Sequence, residues 1–240
     1  MNYVDHKIRN IQNIGQMFSG IARYYDLLNH ILSFGLDFRW RKKVAFETKR
    51  VNCEKILDVC TGTGDMAIEL YRTWQGKVEI DGLDISNELI NIGKKKVKKL
   101  NCKDKVKFIE ANAERLPYND NQFDAVTITF GLRNISDRLK AIMEFYRVAR
   151  YGGCFVCLEF SHPVNSFFTK LYNFYLMKCV PFIASIVGSD PSAYRYLGNT
   201  IKEFLKPEEL SQLIESAGWR DVSFQRLTGG IVTIHRAIKR

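Results

Sequence analysis

The segment from Lys55 to Asp84 constrains this chain more than any other part of it. Ile56-Leu57-Asp58-Val59-Cys60 is an apolar run of strand length, and Thr61-Gly62-Thr63-Gly64-Asp65 is a glycine turn directly behind it. Met66 to Trp74 carries a helical pattern, and Val78 to Asp84 is a second strand that ends on a carboxylate. A strand, a glycine-rich turn, a helix and an acid-tipped second strand, with the acid about 20 residues on, is the layout of a nucleotide-binding βαβ unit. Glycine lets a ligand approach the backbone closely, and an acid at the strand tip accepts hydrogen bonds from ribose hydroxyls. The unit predicts an adenosine-containing cofactor, with Gly62, Gly64 and Asp84 among its contacts.

Charge selects among such cofactors. Gly62-x-Gly64-x-x-Ala67 also satisfies a dinucleotide fingerprint. Asp58 stands four residues before Gly62, however, and Asp65 directly follows Gly64. Two carboxylates repel a pyrophosphate, which asks for bare amide donors and a helix N-terminus. They suit S-adenosylmethionine, which carries an ammonium and a sulfonium and no phosphate. The competing reading is that Asp58 and Asp65 only cap the turn and the helix, although capping does not require an acid inside the strand.

The alternation continues beyond this unit. Ser86 to Leu100 reads as a helix capped by Ser86, Val106 to Glu110 as a third strand, and Phe123 to Phe130 as a fourth. A helix over 137–149 and a strand from Cys154 to Phe160 follow. Single helices between strands predict a parallel sheet covered on both faces. After a helix near Pro207 to Ala217, Trp219 to Arg226 and Ile231 to Ile238 are two strands joined through Thr228-Gly229-Gly230. So short a link makes that pair antiparallel. The expected fold class is α/β, a Rossmann-like class I methyltransferase sheet of seven mostly parallel strands with a C-terminal antiparallel hairpin.

Composition bounds the rest. A chain of 240 residues supports one full α/β domain over 1–240. The net charge of +10 favours nucleic acid or an anionic membrane surface as a neighbour. The run Lys94-Lys95-Lys96-Val97-Lys98-Lys99 contributes to it, and reads first as a solvated helix face. The N-terminus lacks the apolar core of a secretory signal, and six cysteines without a framework pattern suggest reduced thiols and a cytoplasmic setting. Cys154 and Cys157 lie three apart in a strand and so point to opposite faces, which argues against a shared metal or disulfide.

Several further pieces carry a family resemblance. They are Met17-Phe18, Tyr24-Tyr25-Asp26-Leu27-Leu28-Asn29, Ser33-Phe34-Gly35 and Trp40-Arg41, then Asp58-Val59-x-x-Gly62-Thr63-Gly64-Asp65 and Asn112-Ala113-Glu114-x-Leu116-Pro117. Phe130-Gly131-Leu132-Arg133-Asn134, Tyr194-Arg195-Tyr196-Leu197, and Thr228-Gly229-Gly230 with His235 complete the set. Nearly end to end, the chain resembles the quinone-biosynthesis C-methyltransferases that act on demethylmenaquinol and on ubiquinol precursors. One departure is Thr129, where some members have serine; the hydroxyl is kept. The resemblance implies cofactor contacts at Thr63, Asp84, Asn112, Ala113 and Thr129, although for Asn112 an ordinary loop asparagine is an equal alternative. It implies methyl transfer from S-adenosylmethionine to a ring carbon of demethylmenaquinol, with a methoxy-polyprenyl benzoquinol as the alternative acceptor and a non-catalytic cofactor-binding scaffold as a further alternative.

A quinol carbon becomes nucleophilic when a neighbouring hydroxyl ionises, so the site must stabilise a phenolate or take its proton. Arg133 and Asn134, just past the fourth strand, are the first candidates, against the alternative that Arg133 is a surface ion-pair partner. Tyr25 and His235 are second candidates, and for His235 a buried structural histidine is an equal reading. The stretch 162–206, rich in Phe and Tyr, is expected to be a substrate lid for a polyprenyl tail that meets the membrane, and residues 1–50 a helical cap over the same site. Core packing or a homodimer contact is the alternative for the aromatic helix. Such a protein would sit at the membrane peripherally, on its inner face. Nucleic acid is excluded as substrate on motif grounds. Amino methylation of bases usually brings Asn/Asp-Pro-Pro-aromatic after the fourth strand, where this chain has Thr129-Phe130-Gly131-Leu132, and no Pro-Cys nucleophile occurs. An NAD-dependent oxidoreductase is disfavoured by Asp58 and the terminal hairpin.

Overall fold

A computed structural model of the chain describes residues 26–186 and 191–240. One seven-stranded sheet organises it, in the order β3-β2-β1-β4-β5-β7-β6. The strands are β1 (Lys55–Val59), β2 (Glu79–Asp84), β3 (Val106–Glu110), β4 (Phe123–Thr129), β5 (Ala149–Phe160), β6 (Arg220–Leu227) and β7 (Val232–Ile238). β1 to β5 pair in parallel, and β7 is antiparallel to both β5 and β6. The strand order reverses between β1 and β4, and an open α/β sheet opens its ligand crevice at the carboxyl ends of such a pair.

Local signals explain the helices on the two faces. α3 (Asp65–Thr73) starts from Gly64 in the left-handed conformation, at φ 81°. A Cβ at Gly64 would come within 2.6 Å of the Phe108 ring, so the turn is open only to glycine. α4 (Asn87–Lys99) is capped by Ser86 Oγ, which accepts from Leu89 N at 3.3 Å, and buries Leu89, Ile90, Gly93 and Val97 on one stripe. α5 (Arg138–Val148) is capped by Asp137 and buries Ala141, Ile142, Phe145 and Val148. With α9 (Pro207–Ser216) it covers the face where Phe145, Phe155 and Trp219 pack. α2 (Leu36–Thr48) and α3 close the other face over Ile56, Val156 and Ile234. Each fully buried side chain of that size contributes roughly 1.5–3 kcal/mol.

A third, smaller cluster stands apart. Leu28, on the helical segment described from 26 to 32 (α1), packs with Tyr172, Leu176, Val180, Tyr194 and Ile201. These belong to the stretch between β5 and α9, which folds as α6 (Ser166–Phe174), a π turn (Tyr175–Cys179), α7 (Val180–Ile186) and α8 (Pro191–Glu203). β5 begins at Ala149, earlier than the Cys154 expected from sequence, and its register against β4 shifts between Phe123 and Ala125. Tyr151-Gly152-Gly153, which the sequence reads as the turn into this strand, lies within it, where the register against β4 skips from Ala149 to Cys154.

Candidate active site

The glycine turn is held from below and from the side. Thr61 Oγ1 donates to Asp58 Oδ2 at 2.6 Å, and Thr127 Oγ1 donates to Asp58 Oδ1 at 2.8 Å. Asp58 is fully buried, and burial pushes its carboxyl up to about 7 against the pull of the two hydroxyls. Gly62 N donates to Asp84 Oδ2 at 2.8 Å and Ser86 N to Asp84 Oδ1 at 3.0 Å. Burial also raises the Asp84 carboxyl, with those backbone amides pulling the other way. Each Asp84 oxygen keeps a further lone pair, so the carboxylate is oriented without being saturated.

Two cavities meet above this turn. The smaller, about 90 Å³, is lined by Gly62, Asp84, Asn112, Ala113, Thr129 and Asn134, among others. The larger, about 590 Å³, extends from Gly62, Thr63, Thr129 and Arg133 outward past Trp40, Phe130 and Phe160 to Tyr172, Phe174 and Leu197. Cys60, Gly62, Thr129 and Phe130 line both. Cys60 and Phe130 have left-handed φ values of 55° and 59°, the kind of strain that concentrates at functional sites. A Cβ on Gly131 would fall 2.4 Å from the Cβ of Cys60, so the ends of β1 and β4 approach this closely only because residue 131 is glycine. Burial and the neighbouring Asp84 hold the Cys60 thiol well above its usual range, so it stands there as a neutral wall.

Arg133 sits in a 3₁₀ turn (Leu132–Asn134) at the wall of the larger cavity and is 7 % exposed. Its Nη1 donates to Glu159 Oε1 at 2.8 Å and to the Phe130 carbonyl. Glu159 is 1 % exposed and also accepts from Arg133 N and Phe160 N. The guanidinium lies 5.2 Å from the centre of the Phe160 ring. Arg133 Nε, Thr129 Oγ1 and Tyr172 Oη are buried polar atoms with no hydrogen-bond partner among the described residues, and all three residues line the larger cavity. A native fold rarely leaves such atoms unmatched, and their concentration here fits a polar ligand.

The structure thus brings together most of the residues singled out in the sequence. Asp84, Asn112, Ala113, Thr129, Gly62, Thr63 and Arg133 line one connected space. Asn112 Oδ1 accepts from Glu114 N at 2.8 Å, so the loop-turn reading of that side chain and its place on the wall both hold. Five expectations need correction or fall away. Gly64 lines neither cavity: it is the left-handed residue that starts α3 against the Phe108 ring. Asp58 lines neither cavity: it holds the turn from beneath, and its charge is spent on the two threonine hydroxyls. Asn134 lines only the smaller cavity and accepts from Tyr196 Oη at 3.3 Å, which leaves Arg133 as the one of the pair at the wall of the larger cavity. His235 lines neither cavity: it lies in β7, 1 % exposed, and Nε2 donates to the Pro207 carbonyl at 2.9 Å. Burial pushes its imidazole down to about 4, so it is a neutral structural histidine at physiological pH. Tyr25 lies outside the described residues. Glu159 was missed by the sequence argument; its signal was a lone carboxylate inside the apolar run Cys154 to Phe160, at the carboxyl end of a parallel strand.

Sheet order, turn and paired cavities define a class I S-adenosylmethionine-dependent methyltransferase. The orphaned Thr129 hydroxyl between the cavities and the oriented Asp84 carboxylate fit that cofactor. Residues 6–239 match the model of the ubiE/COQ5 methyltransferase family, and the chain belongs to that family. It is 39% identical over 246 residues to the demethylmenaquinone methyltransferase of Bacteroides fragilis, covering all of both chains. It is 37% identical over 230 residues to the ubiquinone/menaquinone biosynthesis C-methyltransferase UbiE of Francisella philomiragia, covering 95% of this chain and 91% of that one. Among solved structures, a SAM-dependent methyltransferase of Thermotoga maritima, described as a possible histamine N-methyltransferase, superposes with a TM-score of 0.61 at 19% identity, covering 93% of this chain and 100% of that one. That likeness concerns the fold alone.

Proposed function

We propose that this chain transfers a methyl group from S-adenosylmethionine to a ring carbon of demethylmenaquinol. The observation that carries the reading is the junction of the two cavities at Thr129 and Phe130, beside Arg133. Asp84, Asn112 and Ala113 would hold the adenosine end in the small cavity, and Gly62 and Thr63 the amino-acid end. When bound, the cofactor supplies an electrophilic methyl group. The protein's task is to hold a ring carbon in line with it, exclude water, and make that carbon electron-rich.

Arg133 serves the last requirement. Glu159 fixes the guanidinium in place, and a guanidinium is no base, so Arg133 acts by stabilising a phenolate rather than by removing a proton. Phe130, Phe160 and Trp40 form an aromatic wall, with Phe130 and Phe160 stacked at 4.5 Å and Trp40 edge-on to Phe130 at 6.0 Å. That wall suits a flat ring on one side and keeps water from the junction. Beyond it Leu171, Tyr172, Phe174, Leu176 and Val180 give an apolar path fit for a prenyl chain. Residues 162–206 act as the substrate lid, and the described part of the expected cap, 26–50, as its counterpart; residues 1–25 of that cap lie outside the described residues. The relatives' names support the acceptor. The test is a mass-spectrometric turnover assay with reduced demethylmenaquinol and a methoxy-polyprenyl benzoquinol. One added methyl on demethylmenaquinol is expected; no product with either acceptor sinks the reading.

A lipid-borne acceptor also explains the outer surface of the lid. Leu171, Phe174, Phe182 and Ile186 are exposed along one stripe of the continuous helix through α6 and α7, with Lys178 among them. Phe34, which lines the same cavity, is 79 % exposed, and Phe38 lies on α2 nearby in sequence. No Asp or Glu occurs between Glu159 and Asp190. No helix among the described residues is long and apolar enough to cross a membrane. An apolar stripe with basic surroundings supports peripheral attachment at the membrane surface, in the interfacial plane. The protein is expected to pellet with anionic vesicles in a salt-sensitive manner, and Phe182→Glu with Ile186→Glu to remain in the supernatant. Equal pelleting of both would remove the stripe from the attachment, and a concentration-dependent dimer that the same changes abolish would reassign it to a second copy.

A further inference from the structure

Within the lysine run of α4, Lys94, Lys95, Lys98 and Lys99 are exposed, and Lys96 is not. Its position follows from the packing. Gly93 lets α4 approach the glycine turn so closely that a Cβ there would stand 3.2 Å from the Thr63 carbonyl. One turn further along, Lys96 therefore reaches back over the turn. Its Nζ lies 2.6 Å from Asp26 Oδ2, 2.6 Å from Asp65 Oδ1 and 2.9 Å from Thr63 Oγ1. Thr63 Oγ1 in turn donates to Asp26 Oδ1 at 2.5 Å. An ammonium has three donors, and all three are matched.

The elements joined here are those that enclose the donor's amino-acid end. Thr63 and Asp65 belong to the turn and line the larger cavity. Asp26 begins the described part of α1, whose Asn29 and Leu32 form the facing wall of that cavity. Asp65 is also 3.8 Å from His30 Nε2 and from Arg41 Nη2, so α1, α2 and the turn converge on one charge cluster. The Lys96, Asp26 and Asp65 side chains are each about a quarter exposed, which screens them far less than a surface pair.

We infer that Lys96 is a positioning residue for the methyl donor: it latches α1 onto the glycine turn and thereby closes the cavity wall beside Thr63. The inference rests on the donor-site assignment, and the experiment separates the two. S-adenosylhomocysteine is titrated by calorimetry into the wild-type chain, Lys96→Met, Asp26→Asn, the double variant and Lys94→Met. No binding to the wild type would dispose of the donor site itself. With wild-type binding intact, Lys96→Met and Asp26→Asn are each expected to weaken it roughly fivefold, and the double variant to be no weaker than the poorer single, as for two halves of one contact. Lys94→Met should match the wild type. A Lys96→Met affinity equal to wild type, or full additivity with Asp26→Asn, would overturn the latch. Because loss of an ion pair also loosens a fold, hydrogen exchange of 26–32 with and without ligand is read in parallel. Ligand-induced protection of α1 in the wild type and its loss in Lys96→Met, with the sheet amides unchanged, is the expected pattern. Equal loss of protection throughout the sheet would assign Lys96 to general stability and overturn the proposal.

Discussion

Arg133→Met is expected to lower turnover by about 10²–10³ while leaving S-adenosylhomocysteine affinity nearly unchanged, the loss typical of one oxyanion donor. The single substitution has a confounding effect that the structure makes plain. It strands Glu159, 1 % exposed, without its cation, and breaking one half of a buried pair typically costs 3–5 kcal/mol. The informative comparison is therefore the double variant Arg133→Met with Glu159→Gln, which removes both charges together. Its unfolding midpoint should recover much of what the single variant loses, while its turnover stays low. Arg133→Lys should fold well and remain slow: Nη1 alone holds Glu159 and the Phe130 carbonyl, which an ammonium can imitate, but an ammonium has no planar guanidinium whose unpartnered Nε is left for a ligand. Wild-type turnover in the folded double variant would show that the positive charge has no part in activating the ring.

Asp84→Asn should weaken S-adenosylhomocysteine binding about 10- to 100-fold by calorimetry, in line with roughly 1.5–3 kcal/mol for a hydrogen bond to a charged group. The change is nearly isosteric, yet it disturbs more than the ribose contact. Gly62 N and Ser86 N each donate to one Asp84 oxygen, and an amide can offer an oxygen to only one of them. Its NH₂ must then face the other N–H, which loosens either the glycine turn or the start of α4. Thr61 N still donates to the Leu83 carbonyl at 3.0 Å, so the turn keeps its attachment to β2 and the fold is expected to survive. Unchanged affinity would remove Asp84 from the cofactor site.

These two residues also mark how far the sequence could be read. Asp84 was accessible because strand, turn and acid obey a spacing rule, and the same rule brought Gly62 to the site, whereas Gly64 lines neither cavity and serves as the left-handed start of α3. Helix caps at Ser86 and Asp137, and the hairpin through Thr228-Gly229-Gly230, follow from local chemistry in the same way. The charges at the turn are another matter. Two carboxylates there pointed to the right cofactor, but Asp58 faces the threonines beneath the turn, and Asp65 is matched by Lys96. A sequence gives the sign of a charge and not the direction of its side chain. Glu159 and Lys96 stayed hidden for a related reason: their partners are 26 and 70 residues away in the chain, and only the packing of β4 against β5 and of α4 against the turn brings them close. His235 had two equal readings, and the buried structural one holds: it lies mid-strand in β7, with the Pro207 carbonyl and the Phe224 ring as neighbours.

The small cavity is built almost wholly from strand ends and the loops directly after them, whereas the outer reach of the large one is supplied by α1 and α6 to α8, which form a hydrophobic cluster of their own. On the proposed assignment, recognition of the donor's adenosine end and recognition of the acceptor are written in separate parts of the chain, and α1 is shared between the acceptor path and the donor's amino-acid end. Substitutions among the outer helices can alter which ring and tail are admitted while the strand-end apparatus goes on binding the same donor. On such a frame, new acceptor preferences can arise by repacking one local cluster, with no need to redesign the sheet on which the chemistry depends.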